Sequence, residues 1–367
     1  MNVKTKPSLN AIAPYKMGQS AIEGVAEPIK LSSNELPYPP SPAAQRAYDS
    51  TGVKLGRYPD GAQTDLRAAI SEIHGVDPAN LFCSNGSEEG IGLVMRVLLS
   101  PDDSVVMSAN SFVMAEIYAR ASGAEVISVP EIDHCIDIGG VLAAVRPDTK
   151  IVYLCSPNNP TGTYLTIDQI RRLDAELPAD VVLMLDGAYA EFVRADDYDS
   201  GIRTLFKPDG RVIVTRTFSK GYGMAALRIG WVAAPTVVID AVSRLRTPFN
   251  TNAPALAAAA AAMRDQDYLK NTCDMVVETR DWFAGELRDL GLKVVPSQAN
   301  FILIDFGPGG TQANEIDAAL QAVGIIARPV SGDSNELRIS VGTRDDMETC
   351  LGVISEWWNA RSLKSTG

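Results

Sequence analysis

The stretch VVLMLDGAY, residues 181–189, decides the reading of the fold. Five apolar residues run without alternation up to Leu185 and stop at a carboxylate, Asp186, and a glycine. A strand wetted on one face alternates apolar and polar residues. A continuous run belongs to a strand covered on both faces, as in parallel sheets between two helical layers. Working outward, similar short runs recur at 81–84, 105–108, 125–129, 151–155, 212–215 and 229–233. Helical patterns separate them, and this alternation predicts an α/β fold: a large domain with a seven-stranded, mainly parallel sheet sandwiched by helices.

Upstream, Pro14, Pro28, Pro37, Pro39, Pro40 and Pro42 break any long helix. Ile12, Tyr15, Ile22, Val25, Ile29 and Leu31 give the same segment apolar anchors, so an ordered arm is expected. Downstream, Asn252 is placed to cap a helix starting near Ala253, with Pro254 tolerated in its first turn. The alanine run that follows favours helix. A second helix over 268–290 stops at Gly291. Strands at 294–295, 300–305, 324–328 and 336–341, with a helix near 313–323, predict a smaller α+β domain. The expected division is an arm and linker over 1–45, a large domain over 46–265 and a small C-terminal domain over 266–367.

Bulk properties agree with about two domains for 367 residues. A hydrophobic fraction of 46% and a charged fraction of 21% are ordinary for a soluble protein. The net charge of −12, with no basic block, argues against nucleic acid or an anionic membrane as partner. Residues 1–30 hold no apolar segment of signal-peptide length, and the alanine-rich run 253–263 is too short to span a bilayer, so a cytoplasmic location is expected. Cys83, Cys135, Cys155, Cys273 and Cys350 are odd in number and lack metal-ligand spacing, which predicts reduced thiols. His74 and His134 sit in no motif; structural or surface roles are expected, and no metal site.

The chemistry centres on TFSKGYGMAALRIGW, residues 217–231. Its single lysine, Lys220, follows a predicted strand among small and hydroxyl residues. A Schiff-base lysine needs an amine out of bulk water that can lose its proton. Thr217, Ser219 and Arg228 can hold a phosphate dianion beside it. Asp186, ending its apolar strand, can pair with a protonated pyridine nitrogen. SPNNPTG at 156–162 brings Asn159, which with Tyr189 can bond a phenolate oxygen. After the run 81–84, the backbone amides of Ser87 and Glu88 open a helix and are suited to phosphate. Phe112 follows the next strand and can stack on an aromatic ring. Ligands in open α/β sheets gather at carboxyl ends of strands, where all these segments fall.

In order and spacing, Asn159, Asp186, Tyr189, Lys220 and Arg228 resemble the set of the fold-type I aminotransferases dependent on pyridoxal 5′-phosphate (PLP), over essentially the whole chain. The resemblance implies that Lys220 forms the Schiff base with PLP and carries the proton between substrate α-carbon and cofactor. It further implies that Asp186 meets the pyridine nitrogen, that Asn159 and Tyr189 meet the ring oxygen, and that Arg228, Ser219, Thr217 and the Ser87–Glu88 amides hold the phosphate. Within the family, LSSNELPYPP at 31–40, RYPDG at 57–61 and LRISVGTRDD at 337–346 are similar to the histidinol-phosphate aminotransferase subfamily. That likeness implies ping-pong transfer from L-histidinol phosphate to 2-oxoglutarate, yielding imidazole-acetol phosphate and L-glutamate. It also implies a homodimer with shared active sites, in which Tyr58 reaches the partner subunit's cofactor phosphate. Tyr15, Asn34, Asn159, Arg328 and Arg338 are then the substrate-binding residues, with Arg338 on the distal anion. Leu36, Phe112 and Ala115 depart from the subfamily's usual residues; the first removes a polar group near the arm, and the other two alter the pocket wall.

Three other readings compete. In an aromatic (phenylalanine or tyrosine) aminotransferase, Arg338 would hold an α-carboxylate. A PLP-dependent decarboxylase of a phosphorylated amino acid would use the same fold. A non-catalytic PLP-binding regulator is disfavoured, because the chain has neither spare length nor a basic segment for DNA.

Overall fold

The structure, a computed structural model, describes residues 3–14, 18–52, 56–330 and 335–365. The proline-rich arm yields one short strand, β1 (Ile29–Lys30), followed by α1 (Pro42–Asp49) and α2 (Thr64–His74). Then come β2 (Leu81–Ser84), α3 (Gly86–Leu98), β3 (Ser104–Ser108), α4 (Val113–Ser122), β4 (Glu125–Val129), α5 (Ile138–Ala143) and β5 (Thr149–Cys155). The series continues through α6 (Ile167–Glu176), β6 (Val182–Asp186), β7 (Val212–Thr217) and β8 (Gly230–Ala233) to α7 (Thr236–Leu245). Strands β2 to β8 form one seven-stranded sheet in the order β2-β8-β7-β6-β5-β3-β4, as the apolar runs predict. Only β8 runs against its neighbours.

The continuous apolar runs have a direct cause. Along β6, Leu183 and Leu185 face one buried cluster, while Met184 faces a second. The first includes residues of α2, α6 and α8 (Ala253–Arg264), the second those of α3, α4 and α7. Asn252 caps α8, accepting from the Ala255 N–H at 2.8 Å. The alanines do more than favour helix. Ala255, Ala258, Ala259 and Ala260 are essentially inaccessible, and their small side chains let α8 lie close against α1 and α2.

Helix α9 (Gln266–Asp289) leads into β9 (Val294–Val295), β10 (Phe301–Asp305), α10 (Gln312–Ala322), β11 (Ile325–Ile326), β12 (Arg328–Pro329), β13 (Glu336–Ser340) and α11 (Arg344–Ser365). The single strand expected at 324–328 is two. Ile325–Ile326 pairs in parallel with β1, and past Ala327 the chain joins the sheet β12-β13-β10-β9. The arm is thereby stitched to the C-terminal part, and Leu31 is buried in that core. His134 spans the two parts, its ring nitrogens 3.1 Å from Asp305 Oδ2 and 3.4 Å from Glu336 Oε1. These three side chains could also gather around a cation, although Lys293 already lies 2.6 Å from Asp305. All five cysteines are free thiols. Among the described residues no helix is long and apolar enough to cross a membrane.

Candidate active site

Because β2 opposes β8 and β8 opposes β7, β2 runs in the same direction as β7, β6, β5 and β3. The turns after Ser84, Ser108, Cys155, Asp186 and Thr217 therefore emerge at one edge of the sheet.

Asp186 ends β6 and is 2% exposed. Its Oδ2 accepts from the Tyr153 hydroxyl at 2.8 Å and its Oδ1 from Thr215 at 2.9 Å. Burial raises its pKa; those hydroxyls, the Ala188 amide and the Arg216 charge work in the opposite direction. Lys220 follows β7, and its Nζ donates to the Ser33 carbonyl at 2.9 Å. The amine also lies 5.9 Å from the centroid of the Tyr189 ring. Burial, followed by the Arg338 charge, pushes the amine down to about 7, against the pull of Glu35. Much of it is consequently neutral at neutral pH.

Tyr189 joins Lys220 to a network of amides. Its hydroxyl accepts from Asn34 Nδ2 at 3.0 Å and Asn159 Nδ2 at 3.3 Å, and burial pushes the phenol above its usual value. Asn159 Oδ1 in turn accepts from Arg338 Nη1 at 2.6 Å, and the other arm of that guanidinium donates to the Ser32 carbonyl at 2.6 Å. Asn34 takes a left-handed φ of 54°. Its N–H donates to Ser340 Oγ at 2.8 Å, and its carbonyl accepts from Asn300 Nδ2 at 3.0 Å. The arm is thus threaded between the two parts of the chain and supplies one wall of the site.

A second group is built for an anion. Arg228, at φ 52°, donates from Nη1 to Ser219 Oγ at 3.3 Å, and Thr217 Oγ1 donates to the same oxygen at 3.0 Å. A Cβ on Gly86 would stand 2.6 Å from Arg228 Nη2, and one on Gly230 would stand 2.6 Å from the Gly86 carbonyl carbon. The missing side chains let a guanidinium, two hydroxyls and the start of α3 at Ser87 converge, a donor set suited to a phosphate dianion.

Other expected residues sit around these groups. The Glu88 side chain accepts from the Tyr118 hydroxyl at 3.1 Å, and its backbone N–H lies in the first turn of α3. Phe112 caps α4 half-buried. Tyr58 is 83% exposed and stacks on Phe249 at 4.7 Å. Arg328 stands directly opposite Arg338 across β12 and β13. Tyr15 lies outside the described residues. Sequence reasoning misses Tyr153, Thr215, Ser340, Asn300 and the carbonyls of Ser32 and Ser33. Thr215 lies in register with Asp186, so strand order, once known, would have pointed to it.

A half-neutral lysine, a buried strand-end carboxylate and an anion cradle on one sheet edge define a group-transfer enzyme of the aminotransferase kind. The chain belongs to the family aminotransferase class I and II, whose model matches residues 26–354. It is 42% identical to the histidinol-phosphate aminotransferase of Paramagnetospirillum magneticum over 358 residues, covering 97% of this chain and 98% of the relative. It is 43% identical to that of Nitrobacter hamburgensis over 343 residues, covering 92% and 94%. Among solved structures, the histidinol-phosphate aminotransferase of Sinorhizobium meliloti in complex with pyridoxal-5′-phosphate matches with a TM-score of 0.88 at 27% identity, covering 98% and 99%. The aromatic, decarboxylase and regulator readings are not favoured by this near-full-length likeness.

Proposed function

We propose that this aminotransferase is PLP-dependent and passes the amino group of L-histidinol phosphate to 2-oxoglutarate by a ping-pong route. The observation that carries the chemistry is the Lys220 amine, held near neutrality beside Tyr189 and facing the positive charge of Arg338. The substrate assignment rests on the two curated relatives.

The residues present fit the cofactor. Arg228, Ser219, Thr217 and the Ser87 and Glu88 amides would hold its phosphate, in a cradle that a Cβ on Gly86 would fill. Asp186 would pair with the ring nitrogen, Asn159 and Tyr189 with the ring oxygen, and Phe112 would lie against the ring. Tyr58, exposed here, would reach the phosphate of a partner subunit in a homodimer with shared sites. When bound, PLP supplies a conjugated electron sink for the bond broken at the substrate α-carbon.

The chain's own residues supply the rest. Lys220 Nζ takes the proton from the α-carbon of the donor and delivers one to the α-carbon of 2-oxoglutarate in the return half-reaction. Arg338 clamps the distal anion, and Arg328, facing it, adds a second positive charge. Like charges directly opposite on neighbouring strands repel, and a dianionic phosphate between them offsets that repulsion. Asn34, fixed by Ser340 and Asn300, keeps the arm against Tyr189 and water away from the amine. The three-part division at residues 45 and 265 belongs to the same proposal, with the arm crossing between the two larger parts.

The test is a half-reaction. Protein loaded with PLP is mixed with L-histidinol phosphate, and separately with phenylalanine, while the bound-cofactor absorbance is followed. Rapid bleaching by histidinol phosphate alone is expected. Equal or faster bleaching by phenylalanine would overturn the substrate, and near-normal turnover by Lys220→Ala would overturn the chemistry.

A further inference from the structure

Behind the site lies a buried ion pair with no role so far. Arg216 on β7 meets Glu191, in the turn Ala190–Phe192, at 2.7 Å; their side chains are 9% and 5% exposed. Two glycines make room for it. A Cβ on Gly187, directly after Asp186, would stand 2.9 Å from Arg216 Cδ, and one on Gly221, directly after Lys220, would stand 2.9 Å from Glu191 Cβ. Arg216 is also 5.9 Å from the Trp231 ring and donates to Ser200 at 3.4 Å. The pair is a poor stabiliser. Arg216 Nε and Glu191 Oε2 have no hydrogen-bond partner among the described residues, and desolvating two charges costs about as much as their attraction returns. What it does is wedge the backbone next to Asp186 against the backbone next to Lys220.

We propose that Arg216 and Glu191 are positioning residues: the pair sets Asp186 and Lys220 relative to one another, with the Arg216 guanidinium a fixed positive charge packed behind Gly187. The inference rests on the assignment of Asp186 to the cofactor's ring nitrogen. Facing Asp186 are Tyr153 and Cys155 from β5, Thr215 and Arg216 from β7, and Tyr189. Facing Arg216 are Glu191, Tyr198, Tyr222 and His74. Burial raises the Asp186 pKa, the two hydroxyls and the Ala188 amide lower it, and the Arg216 charge adds a smaller pull in the same direction, itself paired with Glu191.

A purely structural pair and an electrostatic one respond differently to substitution. Three variants, Glu191→Gln, Arg216→Met and the double Arg216→Met/Glu191→Met, are loaded with PLP. For each, the pH titration of the bound-cofactor absorbance is recorded without substrate, alongside the pH profile of the half-reaction and the melting temperature. Without Arg216 the Asp186 carboxylate loses one of the influences that lower its pKa, so the acid limb moves up. The double variant, with neither charge of the pair left, folds near the wild-type melting temperature and shows an upward move smaller than that of Arg216→Met. Glu191→Gln leaves the Arg216 charge less compensated, and the limb moves down. Limbs that stay put in the folded double variant, or that move the same way in Glu191→Gln and Arg216→Met, would overturn the proposal. Should Asp186→Asn also leave the titration unchanged, the assignment of Asp186 itself fails; if Asp186→Asn responds and the pair variants do not, only the positioning role fails.

Discussion

Gly230→Ala tests whether the start of α3 belongs to the anion cradle. The new Cβ would stand 2.6 Å from the Gly86 carbonyl carbon, 2.8 Å from the Arg216 carbonyl oxygen, and closer still to the Ser87 nitrogen. Ordinary carbon contacts lie near 3.5 to 4 Å, so the gap must open by about 1 Å. Every crowded atom is backbone, and none can rotate away. Gly230 is held on both sides by Ser84 and Thr217, which leaves α3 as the element that retreats. Overpacking of this kind costs about 1–3 kcal/mol of stability. Losing two amide bonds to a charged phosphate, at about 1.5–3 kcal/mol each, weakens cofactor affinity by about a hundredfold or more. Titration of the apoprotein with PLP by absorbance measures the dissociation constant directly. Gly285→Ala serves as control, since its Cβ would meet nothing within 4 Å. A dissociation constant for Gly230→Ala within about threefold of wild type would refute the reasoning.

The Lys220 amine also sets a pH dependence of stability in the apoprotein. The unfolded lysine keeps its proton to about pH 10.4, whereas the folded one loses it near 7, so the unfolded chain binds more protons between those values. Stability therefore rises with pH from about 7 toward 10, and denaturant titrations of Lys220→Met should lack that rise. Arg338→Lys keeps the charge but cannot bond Asn159 and the Ser32 carbonyl together; kcat/KM for histidinol phosphate should fall about 10- to 100-fold, mainly through KM, and an unchanged KM would remove Arg338 from the distal-anion role. Coexpressing Tyr58→Ala with Lys220→Ala should give mixed dimers with one intact site; activity no greater than that of either parent would argue against shared sites.

Much of the architecture was legible because its causes are local. Short apolar runs, most of them unbroken, located all seven strands of the large sheet, and Asn252 marked the start of α8. The site segments were legible because each places a distinctive side chain just after a strand. The arm pairing of β1 with β11 was not. Two residues in a proline-rich segment carry no period, and their partners lie almost 300 positions away. Helix α11 was missed as well, although Met347, Cys350 and Ile354 recur at helical spacing and are buried in the C-terminal core. Tyr153 reads as one more core residue of β5, and only the neighbouring strand reveals that its hydroxyl meets Asp186.

The arm meets Lys220 and Arg338 through the carbonyls of Ser32 and Ser33, not through their hydroxyls. An alanine scan would leave both of these contacts in place, since any residue brings the same oxygen. Only a change in the path of the chain, such as a proline or a one-residue deletion between β1 and Asn34, would move those acceptors. Two polar contacts at the centre of the enzyme are thus encoded by the length and course of a segment rather than by its letters, and engineering the arm is a problem of geometry before it is one of chemistry.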